Sequence, residues 1–230
     1  MTRCSSVPEP TLVILCKRPT LTEGKQRLAP ALGAELTRRL AQALLNCALE
    51  DAAQWPGPVV ISPARTEDRD WAANLPVGAC VLPQGEGNLG ARINRLDSQL
   101  RALGHQRLVY IGTDAPGLDS GHYSAVRREL ARSPVVLSAA ADGGVVLMAS
   151  REPWPELEAL PWSTATLGEA LHACCLQGGL KVTYTAPGYD VDLVEDLPRL
   201  REDLSGDPRA ARQRLLALLD VLPRPRVRSA

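Results

Sequence analysis

Short apolar runs recur along the whole chain. Runs of about five residues suit strands that are buried on both faces of a parallel sheet. The candidate strands are 11–16, 58–62, 78–82, 107–112, 134–139, 144–149 and 180–185.

The segments between most of these runs show helical spacing. One stretch, 33–54, carries an apolar stripe with arginines and acids on its other side. The stripe consists of Leu36, Leu40, Ala43, Leu44, Cys47 and Ala48. The same spacing predicts helices within 88–104, 122–133, 164–179 and 208–222.

Strands that alternate with helices indicate an α/β fold with a mostly parallel central sheet. The runs 134–139 and 144–149 are separated only by a short glycine-containing connection, which predicts a hairpin and one antiparallel strand. We expect a single domain over residues 1–222, with Ser205 or Asp207 capping the final helix. Residues 223–230, PRPRVRSA, are predicted to be a disordered tail.

Composition narrows the class of protein. The 230 residues are 45% hydrophobic but contain no apolar run of membrane-spanning length, and the amino terminus lacks a secretory pattern. We therefore expect a soluble, cytoplasmic protein. The 26 cationic and 26 anionic side chains balance, which argues against nucleic acid as a partner. Only three cations are lysines, and Lys17 and Lys25 share one loop.

Polar clusters follow the ends of the predicted strands, where open α/β sheets bind ligands. After the first strand come Lys17, Arg18, Gly24, Lys25 and Arg27. Cations and a glycine in a loop before a helix suit a polyphosphate, and an ordinary solvated loop is the alternative.

A second cluster follows the third strand. Gln84 and Gly85 leave the backbone open to a flat ligand such as a base or a sugar. Asn88 either joins that pocket or simply caps the next helix.

Two acidic clusters complete the set. Asp114 follows the fourth strand in YIGTDAPGL and either binds a divalent ion or shapes an Asx turn. Asp190 and Asp192 alternate with Val191, so in an extended segment both face the same side. That pair either captures a cation or marks the start of a helix.

Six motifs in order resemble one family. They are KRPTLTEGKQRLAP, QGEGNLGARI, IGTDAPGL, ADGGVVLM, LPWSTATL and DVDLVEDL. From about residue 12 to 197 the chain is similar to bacterial glycosyltransferase-like proteins, the selenodomain- or radical-SAM-associated transferases. This GT-A-type group is related to molybdenum-cofactor guanylyltransferase and phospholactate guanylyltransferase. The resemblance implies a three-layer nucleotide-diphospho-sugar transferase fold with a mixed sheet.

The resemblance also implies roles for particular residues. Phosphates of the nucleotide would be held by the first loop, through Lys17, Arg18, Gly24, Lys25 and Arg27. The base side would be Gln84, Gly85 and Asn88. Mg2+ or Mn2+ would be bound by Asp114, Asp190 and Asp192, with Lys25 and Asp114 as the catalytic pair. The acceptor side would be Asp142, Gly143, Gly144, Trp162, Ser163 and Thr164.

Several positions depart from the family pattern. Leu21 and Thr22 replace a Pro-Gly pair and Gln26 replaces a threonine. Asn88 and Ala141 each stand where an acid is usual, and Val145–Val146 replace an aromatic pair. These changes weaken the acceptor side more than the metal side.

The resulting interpretation is a metal-dependent transferase that uses a nucleotide or nucleotide-diphospho-sugar donor and an unidentified small-molecule acceptor. Two alternatives stay open. One is a nucleotidyltransferase of the guanylyltransferase type, and the other is a degenerate, non-catalytic nucleotide-binding protein.

Overall fold

The computed structural model describes residues 8–222. The predicted tail, 223–230, lies outside these residues. The strands are β1 (Thr11–Cys16), β2 (Val59–Pro63), β3 (Cys80–Val81), β4 (Leu108–Ile111), β5 (Val135–Ala139), β6 (Val145–Ser150) and β7 (Val182–Tyr184). The helices are α1 (Ala29–Leu32), α2 (Ala34–Ala53), α3 (Arg69–Ala73), α4 (Leu89–Ala102), α5 (Ser120–Leu130), α6 (Leu167–Gln177), α7 (Leu197–Leu204) and α8 (Ala210–Val221).

The seven strands form one sheet in the order β3-β2-β1-β4-β6-β5-β7. Strands β3, β2, β1 and β4 are parallel, and β5 pairs in parallel with β7. Strand β6 is antiparallel to both of its neighbours, β4 and β5. The predicted hairpin is therefore confirmed. The two edge strands are shorter than the apolar runs predicted, since each pairs on one side only.

Both faces of the sheet are covered. In β1, Leu12 and Ile14 join one core cluster while Val13 joins another on the opposite face. Helices α2 and α5 pack against the first face, and α4 and α6 pack against the second. This arrangement confirms the predicted three-layer α/β fold and explains why the strands read as uninterrupted apolar runs.

A third cluster lies outside the first helical layer, where α7 and α8 pack on α2 through leucines. The final helix begins later than predicted. Arg209 occupies its N-cap position without a side-chain cap, so neither Ser205 nor Asp207 caps it. Across residues 8–222, no helix combines the length and apolar character that a membrane crossing requires.

Candidate functional site

The loop after β1 contains a strained turn. Gly24 and Lys25 both have left-handed backbones, with φ of 79° and 54°. Glycine adopts this conformation freely, whereas for lysine it costs about 1–2 kcal/mol. The N–H of Leu28 donates to the Lys25 carbonyl at 2.9 Å and closes the turn. The Lys25 side chain is only 7% exposed.

Two carboxylates from distant parts of the chain meet at the Lys25 ammonium. Its Nζ lies 2.9 Å from Asp114 Oδ2 and 2.6 Å from Asp192 Oδ1. Arg27 approaches the other oxygen of Asp192 at 3.4 Å. The Asp114 and Asp192 side chains stay 42% and 39% exposed, so the group opens to solvent at the carboxyl end of β4.

The backbone fixes the two acidic segments relative to each other. The N–H of Val191 donates to the Asp114 carbonyl at 2.8 Å. The Asp196 carboxylate accepts the N–H groups of Asp192 and Leu193 at 2.9 and 2.7 Å. Val191 is buried while Asp190 and Asp192 are partly exposed, as the predicted alternation requires.

Charge is concentrated around these acids. Burial lowers the pKa of Lys25, but the Asp114 and Asp192 carboxylates outweigh that effect and hold this pKa above its ordinary value. Burial, Asp142 and Asp192 raise the pKa of Asp190 to about 6. The negative charges around Asp190 oppose its ionisation, and a cation bound nearby would stabilise the ionised carboxylate.

Replacing Asp190 by asparagine is expected to stabilise the metal-free protein at neutral pH. The folded-state pKa of Asp190 is about 6 against an ordinary 3.8, so its ionisation opposes folding as pH rises through this window. The penalty is absent below the lower value and complete above the higher one. After discounting for solvent screening, we expect a gain of about 1 kcal/mol near pH 7.5 and none near pH 4.

Urea unfolding of Asp190→Asn in EDTA at the two pH values measures this gain. Asp70→Asn, which alters an exposed acid on α3, is the control. A gain that is equal at both pH values would contradict the assigned cause.

The site suits a hard divalent ion by its donor chemistry, since Asp114, Asp190 and Asp192 offer carboxylate oxygens. In the described range 8–222, however, no three acidic, histidine or cysteine side chains already form a metal-ligand group. The Lys25 ammonium instead binds two of these acids, Asp114 at 2.9 Å and Asp192 at 2.6 Å. The three acids fit Mg2+ or Mn2+ by their donor chemistry, and two of them are paired with Lys25 in this structure.

The other cations of the first loop point elsewhere. Arg18 lies 3.6 Å from Asp68, beyond the end of β2, and Lys17 is exposed. Glu23 of the same loop pairs with Arg65. Of the predicted phosphate ligands, the structure brings Lys25 and Arg27 to the acids and directs Arg18 away from them.

The predicted base side is built mainly from internal hydrogen bonds. The buried Gln84 amide donates to the Ser62 carbonyl at 2.8 Å. Arg95 donates to the carbonyls of Gln84 and Glu86, both at 2.9 Å. Gly85 has a φ of 77°, and a Cβ there would lie 2.6 Å from the Arg95 guanidinium.

Asn88 serves α4 in the structure. Its Oδ1 accepts the N–H of Ala91 at 3.0 Å, which makes it the N-cap, and its amide donates to the Glu158 carbonyl at 2.7 Å. The helix-cap interpretation of this residue is therefore confirmed. The second bond needs an N–H donor, which the acid usual at this position lacks.

The two predicted acceptor-side loops contact each other. Gly143, with φ of 90°, lies so close to the next loop that a Cβ would be 2.0 Å from the Ala165 carbonyl oxygen. Asp142 accepts the N–H of Gly144 at 2.9 Å. Ser163 also has a left-handed backbone, with φ of 65°. The N–H of Ala141 donates to the Gly188 carbonyl at 3.1 Å, so the first of these loops lies beside the segment that leads to Asp190.

The flanking side chains of the second loop are engaged internally. Trp162 Nε1 donates to the Leu157 carbonyl at 2.8 Å, and Thr164 donates to the Pro161 carbonyl at 2.7 Å. Both backbone groups of Gly144 are engaged as well, since its N–H donates to Asp142 and its carbonyl accepts from Ala140, whereas Ser163 is exposed.

The sequence interpretation missed one buried charged network. Arg212 of α8 is fully buried and donates to Asp51 of α2 at 2.6 Å. Arg209 and Tyr123 also bind Asp51, both at 2.9 Å. A signal for this network was present in the sequence, because each charged residue lies on the apolar face of its predicted helix. Arg212 is three residues before Leu215 and Asp51 is three residues after Ala48.

Comparison with known proteins agrees with this architecture. A family model described as "Uncharacterized protein conserved in bacteria (DUF2064)" matches residues 44–164. The match includes Gln84, Asn88 and Asp114 but neither Lys25 nor Asp192. No protein of curated function matches the sequence.

Among solved structures, a protein from Desulfovibrio desulfuricans G20, provisionally described as a nucleotide-diphospho-sugar transferase, superposes with a TM-score of 0.83 at 20% identity. The alignment covers 93% of this chain and 98% of that one. A cytidylyltransferase from Leptospira borgpetersenii serovar Hardjo-bovis (strain JB197) gives 0.53 at 12% identity, with 93% and 94% covered. A 4-diphosphocytidyl-2C-methyl-D-erythritol synthase gives 0.53 at 9% identity, with 86% and 100% covered. At these identities the likeness is one of fold, and it confirms the predicted transferase fold.

Proposed function

Because this chain belongs to the bacterial family DUF2064 and has the fold of nucleotide-diphospho-sugar transferases, we propose that it is a metal-dependent transferase that uses a nucleotide or nucleotide-diphospho-sugar donor. One observation carries the proposal. The Asp114 and Asp192 carboxylates and the Lys25 ammonium meet at one solvent-open point at the carboxyl end of the sheet. A diphosphate donor needs a cationic side chain and acids for its ion at one place.

Lys25 and Arg27 supply the positive charge for the donor phosphates. In the structure both are neutralised by carboxylates, so binding is an exchange of partners. The phosphate oxygens replace the carboxylates around the Lys25 ammonium, and Asp114 and Asp192 become free for a cation. Mg2+ or Mn2+, held by Asp114, Asp190 and Asp192, would neutralise the developing charge on the diphosphate.

Acceptor binding is assigned to the loops that border Asp190. The exposed Ser163 hydroxyl is the proposed contact there, because the N–H and carbonyl groups of Gly143 and Gly144 are hydrogen-bonded within the protein. The left-handed backbone of Ser163 sets the direction of that hydroxyl. Gln84 and Gly85 remain the proposed base side. Because the Gln84 N–H donates to the Pro63 carbonyl and the Gln84 carbonyl accepts from Arg95, the proposed contact with the base is through the Gly85 backbone.

Two other functions compete with sugar transfer. Nucleotidyl transfer, of the guanylyltransferase type that the resemblance suggested, is favoured by the fold likeness to a cytidylyltransferase. A non-catalytic nucleotide-binding protein is favoured by the internal use of Asn88 and Gln84. The narrower relation to molybdenum-cofactor and phospholactate guanylyltransferases rests on the resemblance alone.

Calorimetric titration with a panel of nucleotides and nucleotide-diphospho-sugars, with and without Mn2+, tests the proposal. Binding that strengthens with Mn2+ and is lost in Asp114→Ala supports the transferase. Binding that is indifferent to Mn2+ favours the non-catalytic protein, and no binding at all contradicts both. Product analysis on each donor that binds then distinguishes sugar transfer from nucleotidyl transfer by the bond that breaks.

Replacing Lys25 by methionine is expected to change the affinities for metal and for nucleotide in opposite directions. In Lys25→Met the ammonium no longer competes for Asp114 and Asp192, so Mn2+ alone should bind about tenfold more tightly. Nucleotide affinity should fall about tenfold, as expected for one lost charge-assisted hydrogen bond. Lys181→Met, which alters an exposed lysine before β7, is the matched control. Unchanged Mn2+ affinity in Lys25→Met would contradict the exchange.

A further inference from the structure

The loop that carries Asp114 accepts hydrogen bonds from two arginines of α8, one at its N-cap and one in its first turn. Arg212 Nε donates to the Pro116 carbonyl at 3.2 Å, and a terminal nitrogen reaches the Leu118 carbonyl at 3.4 Å. Arg209 donates to the same Leu118 carbonyl at 2.8 Å. Two guanidinium groups therefore fix the carbonyls two and four residues after Asp114.

Asp51 fixes the two guanidinium groups in turn. One of its oxygens binds Arg212 at 2.6 Å and Tyr123 at 2.9 Å, and the other binds Arg209 at 2.9 Å. Arg212 also donates to the Cys47 carbonyl at 2.6 Å. Both arginines of this network therefore bind helix α2 as well as the Asp114 loop.

The loop transmits this constraint to both acidic segments. The N–H of Leu118 donates to the Ala115 carbonyl at 3.1 Å, which closes a tight turn directly after Asp114. The Asp114 carbonyl accepts the N–H of Val191 at 2.8 Å. Hydrogen bonds and the intervening backbone therefore join α8 to the two segments that carry the carboxylates at Lys25.

Packing alone does not explain these charges. Well-packed apolar side chains often stabilise a core as much as a buried ion pair does, because desolvation offsets the attraction between the charges. Guanidinium groups differ from apolar side chains in offering several fixed N–H donors. In this structure the donors meet the carbonyls of Pro116 and Leu118, which lie in a loop rather than in a helix or strand.

We propose that Arg209 and Arg212 are positioning residues for Asp114, and that α8 is thereby part of the machinery of the site. The two arginines act through the backbone of residues 116–118. This inference rests on the proposed function for its consequence in metal and donor binding. Its structural content, an ordered Asp114 loop, is measurable separately.

The experiment compares Arg209→Gln with Arg101→Gln. Arg101 is a matched control, since it pairs with buried Asp97 at 2.8 Å and its guanidinium donates to the carbonyls of Gln106 and Glu152 at 2.8 and 2.6 Å. Its side chain is 10% exposed against 16% for Arg209. Both variants lose a partly shielded arginine that bridges an acid and loop carbonyls, but only Arg209 holds the Asp114 loop.

Two readouts are measured on the full chain. Hydrogen exchange of peptides that span 112–119 is expected to accelerate in Arg209→Gln and to match wild type in Arg101→Gln. Mn2+ affinity in the presence of the best nucleotide of the panel should fall about tenfold or more in Arg209→Gln and stay within about twofold in Arg101→Gln. Arg209→Lys, which keeps the charge but loses the fork of donors, should give intermediate values.

The outcomes separate the two claims. Equal exchange and equal Mn2+ affinity in Arg209→Gln and Arg101→Gln would overturn the positioning role. Wild-type protein that binds no Mn2+ with any nucleotide would overturn the proposed function instead, and exchange of 112–119 would then decide the positioning role alone.

Discussion

Replacing Asp114 by asparagine is expected to lower donor turnover at least about a hundredfold while the protein stays folded. Asparagine keeps the size and shape of the side chain but removes the negative charge that faces Lys25 at 2.9 Å. Neutralising Asp114, which is itself 42% exposed, removes only one of the two carboxylate partners of the buried Lys25 ammonium. Lys25 also retains Asp192 at 2.6 Å, so the loop keeps one of its two anchors.

Initial rates and Mn2+ titrations on purified Asp114→Asn measure the effect with the donor that the panel identifies. Asp68→Asn is the control, since Asp68 also lies beyond a strand end and pairs with a loop arginine, 3.6 Å away. Turnover that persists in Asp114→Asn at the Asp68→Asn level would remove Asp114 from the catalytic group.

Replacing Arg212 by methionine is expected to lower the free energy of unfolding by about 3–5 kcal/mol. The guanidinium is fully buried and satisfies Asp51, the Cys47 carbonyl and the Pro116 carbonyl. Methionine fills similar space but donates no hydrogen bond. Asp51 would then be a buried acid with weaker compensation, and the carbonyls would lose their donor.

A second substitution checks the cause of that loss. In Arg212→Met/Asp51→Leu the buried acid is gone as well, so at least half of the lost stability should return. Urea denaturation of both variants and of Asp51→Leu alone completes the cycle. A loss of less than about 1 kcal/mol in Arg212→Met would contradict the conclusion that Asp51 depends on the Arg212 guanidinium for its stability in the core.

Much of the fold followed from the spacing of apolar residues. The runs 11–16 and 134–139 lie on the observed β1 and β5, and the stripe in 33–54 became α2. The glycine-containing connection before 144–149 predicted a hairpin with one antiparallel strand, which is β6 in the structure. Each of these features depends on contacts within a few residues, through side-chain alternation or helical period, so the local pattern was sufficient.

Less of the candidate site was predictable. Asp114 and the Asp190–Asp192 pair were identified because they follow strand ends, but a lysine between them was not foreseen. Lys25 and Asp192 are separated by 167 positions. The pairing of β1 with β4 places the Lys25 loop beside the Asp114 loop, and the hydrogen bond from Val191 to Asp114 places the Asp192 segment there as well. For Asn88 the residue type allowed two roles, a helix cap or a contact with a ligand. In the structure its side chain is hydrogen-bonded to Ala91 and Glu158, which identifies it as the cap.

By itself, then, the sequence determined the layers, the hairpin and which acids follow strand ends, because hydrophobic period and position after a strand are local properties. Only the tertiary structure decided which charges neutralise one another. Lys25 was assigned to Asp114 and Asp192, and Arg212 to Asp51, by the distances between oppositely charged atoms after folding. Electrostatic attraction and desolvation depend on those distances and on burial, which spacing along the chain does not specify.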